Sequence, residues 1–218
     1  MWNKITIRSH IVLLGDSIFD NARYTLGGPD VIAQVRQFLP VGWEASLLAV
    51  DGAVVEEVPA QLIRMPPDAS HLVLSAGGNN AIMNASILHT QVELTSQALG
   101  KLAEISQQFE NKYRATVGAC LRLHLPLTLC TIYNGCFPDT AYQRLISTAL
   151  MVFNDVILRV GIEFALTIVD LRLVCSSPSD YANPIEPSSL GGAKIARTIV
   201  NLATTGHARL PGARVVIA

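Results

Sequence analysis

The sequence has few charged residues and no excess of either sign. Asp, Glu, Lys and Arg make up 15% of its 218 residues, against about 25% in an average soluble domain. The 16 basic residues nearly balance the 17 acidic ones. Nucleic-acid-binding proteins and polybasic membrane-surface binders need a basic face, so we predict no nucleic-acid partner. Half of the residues are apolar, which excludes a disordered chain.

Long uninterrupted apolar runs are missing as well, although the mean hydropathy is +0.37. A membrane-spanning helix requires about 20 predominantly apolar residues, whereas the runs at residues 11–14 and 72–74 have the length of strands. Strands of a parallel sheet are apolar on both faces because both faces are buried. The first apolar segment is too short for a signal peptide. We therefore expect no membrane span and a cytoplasmic location.

Cysteine is scarce, and motifs for metals and nucleotides are absent. The four cysteines are Cys120, Cys130, Cys136 and Cys175. Their spacing contains no Cys-x-x-Cys pair and matches no zinc pattern, so we predict reduced, mostly buried thiols. The glycine fingerprints of dinucleotide and phosphate loops are also missing, which argues against a flavin or nucleotide binder. We expect no cofactor and no metal.

Short apolar runs alternate with amphipathic stretches along the chain. The runs predict five strands, at residues 10–14, 45–50, 71–75, 127–132 and 166–169. Apolar residues at three- or four-residue steps predict helices at residues 30–39, 54–65, 92–123, 141–160 and 189–203. This alternation predicts an α/β fold with a five-stranded parallel sheet covered on both faces. We predict one domain over residues 1–203 and a C-terminal tail over residues 204–218.

The segments that follow the strands contain the candidate site, since ligands of open parallel sheets bind outside the carboxyl ends of the strands. Gly15, Asp16 and Ser17 follow the first strand. We expect Ser17 to lie near a helix N-terminus, where free N–H groups favour negative charge and suit a nucleophilic serine. The alternative is that Asp16 or Ser17 merely caps that helix.

The second and third strands are followed by glycine and asparagine. Gly52 lets the backbone approach a ligand closely, although a simple turn would use the same residue. Asn79 follows Gly77 and Gly78, and its amide can donate to an oxyanion. The alternative for this cluster too is an ordinary turn.

Taken together, Gly-Asp-Ser, Gly52 and Gly-x-Asn79, in this order and spacing, resemble the SGNH hydrolases, also called the GDSL esterase/lipase family. The resemblance covers about residues 10–203 and is most specific at residues 15–21 and 77–79. It implies a flavodoxin-like three-layer α/β/α sandwich in which Ser17 is the nucleophile. It also implies an oxyanion hole made by the N–H groups of Ser17 and Gly52 and by the side chain of Asn79. The family usually has Asp where this chain has Asn80, so we expect the charge-based support of that loop to be lost.

The family's Asp-x-x-His block, which precedes the last helix, has no histidine in this chain. One register matches Asp180-x-x-Asn183, and a second matches Asn183-x-x-Glu186. We favour the second, because the proline, the small residue and the glycine that follow then fall at the family's positions. Asp180 is then a turn or capping residue.

The missing imidazole leaves three mechanisms open. Glu186 is a direct base, oriented by Asn183, if burial raises its pKa from the unperturbed value of about 4.3. A distant histidine is the second possibility, with His89 best placed and His207 in the tail undetermined, because His10, His71 and His124 lie near the amino ends of strands. In the third, the site binds without turnover, and Glu186 is simply an acidic residue favoured near a helix N-terminus.

We therefore predict a serine hydrolase that cleaves small carboxylic esters through an acyl-enzyme on Ser17. The alternative is a catalytically impaired binding protein on the same fold. Phe19, Ile82, Met83 and Phe137 are consistent with a lipophilic or short acyl group, or with plain packing. The sequence makes no prediction of the oligomeric state.

Overall fold

The structure is a computed structural model and describes residues 9–205. One five-stranded sheet forms its centre, with all strand pairs parallel and the order β2-β1-β3-β4-β5. The strands are β1 (Ser9–Gly15), β2 (Trp43–Leu47), β3 (His71–Ser75), β4 (Leu127–Cys130) and β5 (Thr167–Val169). The predicted five-stranded parallel sheet is confirmed.

Helices cover both faces of this sheet. The α-helices are α1 (Val31–Phe38), α2 (Val58–Gln61), α3 (Gly78–Met83), α4 (Thr95–Leu121), α5 (Thr140–Glu163), α6 (Leu171–Val174) and α7 (Ser189–Thr205). Short 3-10 helices lie at Ala22–Tyr24, Val55–Glu57, Leu62–Arg64, Ala85–His89 and Pro178–Asp180. Helices α1 and α7 contact each other on one face and α4 and α5 on the other, which confirms the three-layer α/β/α sandwich.

The core lies on both faces of the sheet, as the apolar run in β1 predicts. Ile11 and Leu13 are buried in the cluster under α1 and α7. Val12 and Leu14 point the other way, into the cluster under α4 and α5. Successive side chains of a strand alternate between its two faces, so an unbroken apolar run is what a central parallel strand requires.

The predicted helix at residues 54–65 is broken into three short helical pieces. Pro59 lies in the first turn of α2. Proline has no N–H and is tolerated in a helix only in the first turn, so a new helix has to begin here. The side chain of Gln61 is buried and binds both backbone groups of Gly15. This polar anchor holds the segment against the end of β1 rather than in one continuous helix.

Helix α5 is long and apolar enough to cross a membrane by length and composition alone. In this fold, Phe153, Ile157 and Val160 of α5 are buried against the sheet. On its outer side, Arg159 pairs with Glu110 of α4. A core position thus accounts for the apolar residues on the inner side of the helix, and a third of its apolar window is buried.

The cysteines are as expected, since Cys120, Cys130 and Cys175 are buried and none of the four is in a disulfide within residues 9–205. Thr204 and Thr205, the first two residues of the proposed tail, belong to α7. The rest of that tail, with His207, lies outside the described residues.

Candidate active site

The site begins where β1 ends, at a position that only glycine can occupy. Gly15 has φ +125°, and a Cβ there would lie 1.7 Å from the carbonyl oxygen of Ser75 at the end of β3. Both the conformation and the space exclude a side chain. The next N–H group, of Asp16, donates to that same carbonyl at 3.1 Å. The first and third strands therefore present their loops side by side.

Ser17 lies in a tight turn and not at the N-terminus of an α-helix, so that expectation is wrong. The Asp16 carboxylate accepts a hydrogen bond from the N–H of Ile18 at 3.1 Å. The backbone carbonyl of Asp16 accepts hydrogen bonds from the N–H groups of Phe19 and Asp20. Phe19 is completely buried in the core, which fixes the turn. Any negative charge that forms at Ser17 must be stabilised by individual N–H groups, without a helix dipole.

The structure brings Ser17 and Glu186 together from positions 169 residues apart. The Ser17 hydroxyl donates to Oε1 of Glu186 at 3.1 Å. Both residues are buried, with exposed fractions of 7% and 6%. The carboxylate thus lies where a general base of the hydroxyl would have to lie.

The segment that carries Glu186 is held by three kinds of contact. Oδ1 of Asn183 accepts the N–H groups of Ile185 and Glu186, each at 2.9 Å. The buried hydroxyl of Tyr133, from the segment after β4, donates to the Ile185 carbonyl at 2.6 Å. The N–H of Cys136 donates to the carbonyl of Pro184, two residues before Glu186, at 2.8 Å. Asn183 therefore orients the backbone of Glu186 and does not touch its carboxylate.

Burial changes the acid–base chemistry of Glu186. Removal from water raises the pKa of its carboxyl to about 7, while the hydrogen bond from Ser17 lowers this pKa and the charge of Asp51 raises it. Its second oxygen, Oε2, is buried without a hydrogen-bond partner. A buried carboxylate with a single donor is poorly solvated, so its charged form is disfavoured.

Asp16 is a second buried carboxyl, next to Ser17 in the chain. Burial raises its pKa to about 7, the hydrogen bond from Ile18 lowers the pKa, and the charge of Glu186 raises it further. The two carboxyls therefore influence each other's titration. The sequence shows this acid only as part of a turn motif, because its burial depends on distant segments.

Asn79 and Gly52 are placed differently. Asn79 and Ser17 both line a cavity at this end of the sheet. The Asn79 amide donates one N–H to the carbonyl of Ala53 at 2.9 Å. An amide has two N–H donors, so one remains for a ligand. Gly52 has φ +82° and is next to Ala53 in the chain, but it does not line the cavity.

Asn80 has no charge, as expected, but it supports the loop after β3 by hydrogen bonds. Its side chain is buried, accepts the N–H of Val55 at 3.0 Å and donates to the Glu56 carboxylate at 2.8 Å. An aspartate could not make the second contact, because an ionised carboxylate has no donor.

None of the four histidines among residues 9–205 lines the cavity. His10 is buried at the amino end of β1, where its ring contacts Asp68 and Ser46. His71 begins β3, His89 ends a 3-10 helix, and His124 is exposed after α4.

Asp180 makes no hydrogen bond to Ser17 in the described part of the chain. It is completely buried, accepts the N–H of Ser177 and pairs with Lys194 at 2.7 Å. The carboxylate caps a short helix and ties it to α7, as a turn or capping residue would.

A cavity of about 290 Å³ opens beside Ser17. Asp16, Ser17, Asn79 and Glu186 line one end, and apolar side chains line most of the rest. Of the four apolar residues singled out in the sequence, two line the cavity and two do not. Ile82 and Phe137 line it, whereas Phe19 is a core residue and Met83 is 73% exposed.

Comparison with known proteins finds similarity in structure only. No protein-family model and no curated protein matches the chain. An extracellular lipase from Streptomyces rimosus matches with TM-score 0.60 and 14% identity, over 90% of this chain and 99% of that one. A lipolytic protein of the G-D-S-L family from Veillonella parvula matches with TM-score 0.64 and 12% identity, over 89% and 97%. The carbohydrate acetylesterase Est24 from Sinorhizobium meliloti matches with TM-score 0.60 and 11% identity, over 90% and 99%.

The structural neighbours are thus GDSL, or SGNH, lipases and esterases, and the chain has their fold over about nine-tenths of its length. Their named substrates differ, since one is called a lipase and another a carbohydrate acetylesterase. Because one fold carries many activities, function has to be argued from the site itself.

Proposed function

We propose that the protein is a serine hydrolase that cleaves carboxylic esters through an acyl-enzyme on Ser17, with Glu186 as the general base. The observation that carries this proposal is the 3.1 Å hydrogen bond from the Ser17 hydroxyl to a buried carboxylate. The fold that the chain shares with lipases and esterases supports the same reaction class.

In the first half-reaction, Oγ of Ser17 attacks the ester carbonyl carbon while Glu186 takes the hydroxyl proton. The carbonyl electron pair moves onto oxygen, and the N–H of Ser17 and the free N–H of the Asn79 amide, both at the cavity, bind that oxyanion. Each such donor contributes about 10²–10³ in rate. The tetrahedral intermediate then collapses, the C–O bond to the alcohol breaks, and Glu186 returns the proton to the leaving oxygen. Water repeats the sequence on the acyl-enzyme and releases the acid.

A carboxylate with a pKa of about 7 suits this task as an imidazole does, because a base works best when its pKa is near the operating pH. An imidazole also needs a partner that fixes its tautomer and ring orientation. A carboxylate has no tautomer, and the backbone of Glu186 is already held by Asn183. The base therefore requires no third side chain.

The test is hydrolysis of p-nitrophenyl butyrate by the wild type and by Ser17→Ala. We expect kcat/KM to fall at least 10³-fold, because the nucleophile is removed. Ser96→Ala, the same exchange at an exposed position of α4, is the matched control and should retain the wild-type rate. Equal rates in the wild type and Ser17→Ala would reject the proposal.

A non-catalytic binding protein is the second candidate, favoured by the absence of histidine from the block before α7. Fluorophosphonate labelling separates the two candidates, because the probe reacts only with an activated serine. Stoichiometric labelling of wild type that is lost in Ser17→Ala and in Glu186→Gln supports the enzyme. No labelling under conditions that label a control serine hydrolase supports the binding protein.

A further inference from the structure

The two sides of the candidate site differ in chemistry. The side over β1 and β2 is polar, since the Tyr24 hydroxyl donates to the Asp51 carboxylate at 3.1 Å and Arg23 lies 3.7 Å from that same carboxylate. The Asp51 N–H in turn donates to Asp20. A polar group or bulk water can be accommodated on this side.

The side over β3 and β4 is an apolar cavity. Its walls include Leu102 and Ile105 of α4 and Ile146, Ala149 and Phe153 of α5. Sugar hydroxyls or a phosphate placed there would lose hydrogen bonds to water without adequate replacement, which costs free energy. A hydrocarbon chain gains free energy on entering the same space.

The cavity volume sets the length of that chain. A methylene group is close in size to a water molecule, which occupies about 30 Å³ of liquid. The cavity of about 290 Å³ therefore has room for roughly ten such groups, the carbonyl carbon included.

From these observations we infer that the site is selective for esters of straight medium-chain acids of about eight to ten carbons, with the acyl chain in the cavity between α4 and α5. This inference rests on the proposed function. The acyl group takes the apolar side because the leaving oxygen must face Glu186 to receive its proton. Tyr24 and Asp51 of the polar side do not line the cavity, so the alcohol leaves on their side.

Ala149 is the specificity-determining position that the cavity points to. It is a small residue in the cavity wall, half-buried and one position before the buried Leu150. A phenylalanine at 149 would occupy the space of several methylene groups. Thr148, its neighbour on α5, is exposed and does not line this cavity, so Thr148→Phe is the matched control.

The first experiment measures kcat/KM for p-nitrophenyl esters from acetate to palmitate. We expect an increase of about fourfold per added methylene, the factor for burying one CH₂ group, up to eight to ten carbons, and no further gain beyond. A rate that is highest for acetate and falls with each added carbon would overturn the inference. Turnover of acetate alone would still support the proposed hydrolase.

Two isomeric substrates test whether the cavity binds the acyl chain or the alcohol chain of the ester. Methyl octanoate and heptyl acetate have the same composition, but the long chain is on the acid in the first and on the alcohol in the second. We expect methyl octanoate to be hydrolysed at least tenfold faster. The reverse order would place the chain on the alcohol side and contradict the inference.

Ala149→Phe should lower kcat/KM for the octanoate ester at least 30-fold and change that for acetate less than threefold. Thr148→Phe should change neither. Equal effects on both esters in Ala149→Phe, with unchanged thermal unfolding, would contradict the assignment.

A binding measurement keeps the inference testable if no ester is turned over. Octanamide should bind to the Ser17→Ala protein in calorimetry at least 30-fold more tightly than acetamide, and Ala149→Phe in that background should remove the difference. If octanamide binds no better than acetamide, the acyl cavity is rejected whether or not the protein is a hydrolase.

Discussion

Glu186 takes its chemistry from its surroundings and not from its side-chain type. An unperturbed glutamate has a pKa of about 4.3 and is a weak base toward an alcohol, whereas burial raises the pKa of this one to about 7. The sequence suggests the residue through its place before α7. The raised pKa could not be predicted, because it depends on the segments that exclude water from the carboxyl.

Replacement of the Glu186 carboxyl by an amide should remove most of the activity. Glu186→Gln keeps the size and a hydrogen bond to Ser17 but cannot take a proton, so we expect kcat/KM to fall by about 10²–10⁴, the usual contribution of a general base. In the wild type, kcat/KM should rise about tenfold per pH unit below about pH 7 and level off above it, because only the ionised form is a base.

Steady-state assays from pH 5 to 9 measure both effects. Glu104→Gln, at an exposed position of α4, is the control for the charge change. Full activity in Glu186→Gln would exclude this carboxylate as the base.

Asp16 carries a prediction about stability. Its folded pKa of about 7 exceeds the ordinary aspartate value of 3.8, so the folded state binds the proton more tightly than the unfolded chain. Stability from this group is complete below about pH 4 and is lost as the pH rises through 7. Asp16→Asn should therefore raise the free energy of unfolding at pH 8, by up to about 4 kcal/mol, and change it little at pH 4.

Urea unfolding at the two pH values measures the effect. Asp30→Asn, the same exchange at the residue that caps α1, is the control. An Asp16→Asn protein no more stable than the wild type at pH 8 would show that burial does not penalise the ionised carboxyl.

At the scale of elements, the segment after β4 supports the segment that carries Glu186, the proposed base. The Tyr133 hydroxyl donates to the carbonyl next to Glu186 at 2.6 Å. In Tyr133→Phe the ring stays and this contact is lost, so water should reach the carboxylate. We expect kcat/KM to fall about tenfold and the apparent pKa of the pH profile to shift downward, because a better solvated carboxylate ionises more easily.

The matched control is Tyr113→Phe, since the Tyr113 hydroxyl is buried without a partner in the core. That exchange should leave the pH profile unchanged. A purely structural role of Tyr133 would lower the melting temperature without moving the profile, which would refute a positioning role.

Most of the elements follow from the sequence, because the apolar pattern directly encodes burial. The strand β3 was predicted at its observed bounds, His71–Ser75, and α5 was predicted within its observed range. The errors occur where polar side chains bond to distant backbone. Gln61 breaks the helix predicted at residues 54–65, and α3 has no apolar period that would reveal it.

At the scale of the whole molecule, an ion-pair network joins α4 and α5, the two helices that wall the cavity. Glu110 accepts hydrogen bonds from Arg114 and Arg159, which lower its pKa to about 2. A depressed pKa gives stability that is present above the unfolded value near 4.5 and is lost as the pH falls toward 2. Glu110→Gln should lower the free energy of unfolding at pH 7 by about 1 kcal/mol.

This loss should shrink in 1 M NaCl, because salt screens exposed charges, and should disappear near pH 2. Urea unfolding in low and high salt measures it. Glu104→Gln, on the same helix and without a salt bridge among the described residues, is the control. A loss that is independent of both salt and pH would assign the effect to packing.

The site as a whole was only partly predictable from the chain. Ser17, Asn79 and Glu186 stand in a recognisable order, so their convergence follows once the sheet is parallel. The cavity is different, because Leu102, Ile146 and Ala149 belong to ordinary amphipathic helices. Only the packing of α4 against α5 shows that these side chains leave space between them.

The solitary hydrogen bond to Glu186 has a kinetic consequence. Once an acyl group occupies Oγ of Ser17, the proton that stabilises the carboxylate is gone, and among the described residues no other group bonds to its second oxygen. The Glu186 carboxylate then has no hydrogen-bond donor until a water molecule enters the site. If Ser17 is acylated as proposed, deacylation should accordingly begin from a more strongly basic carboxylate than acylation did.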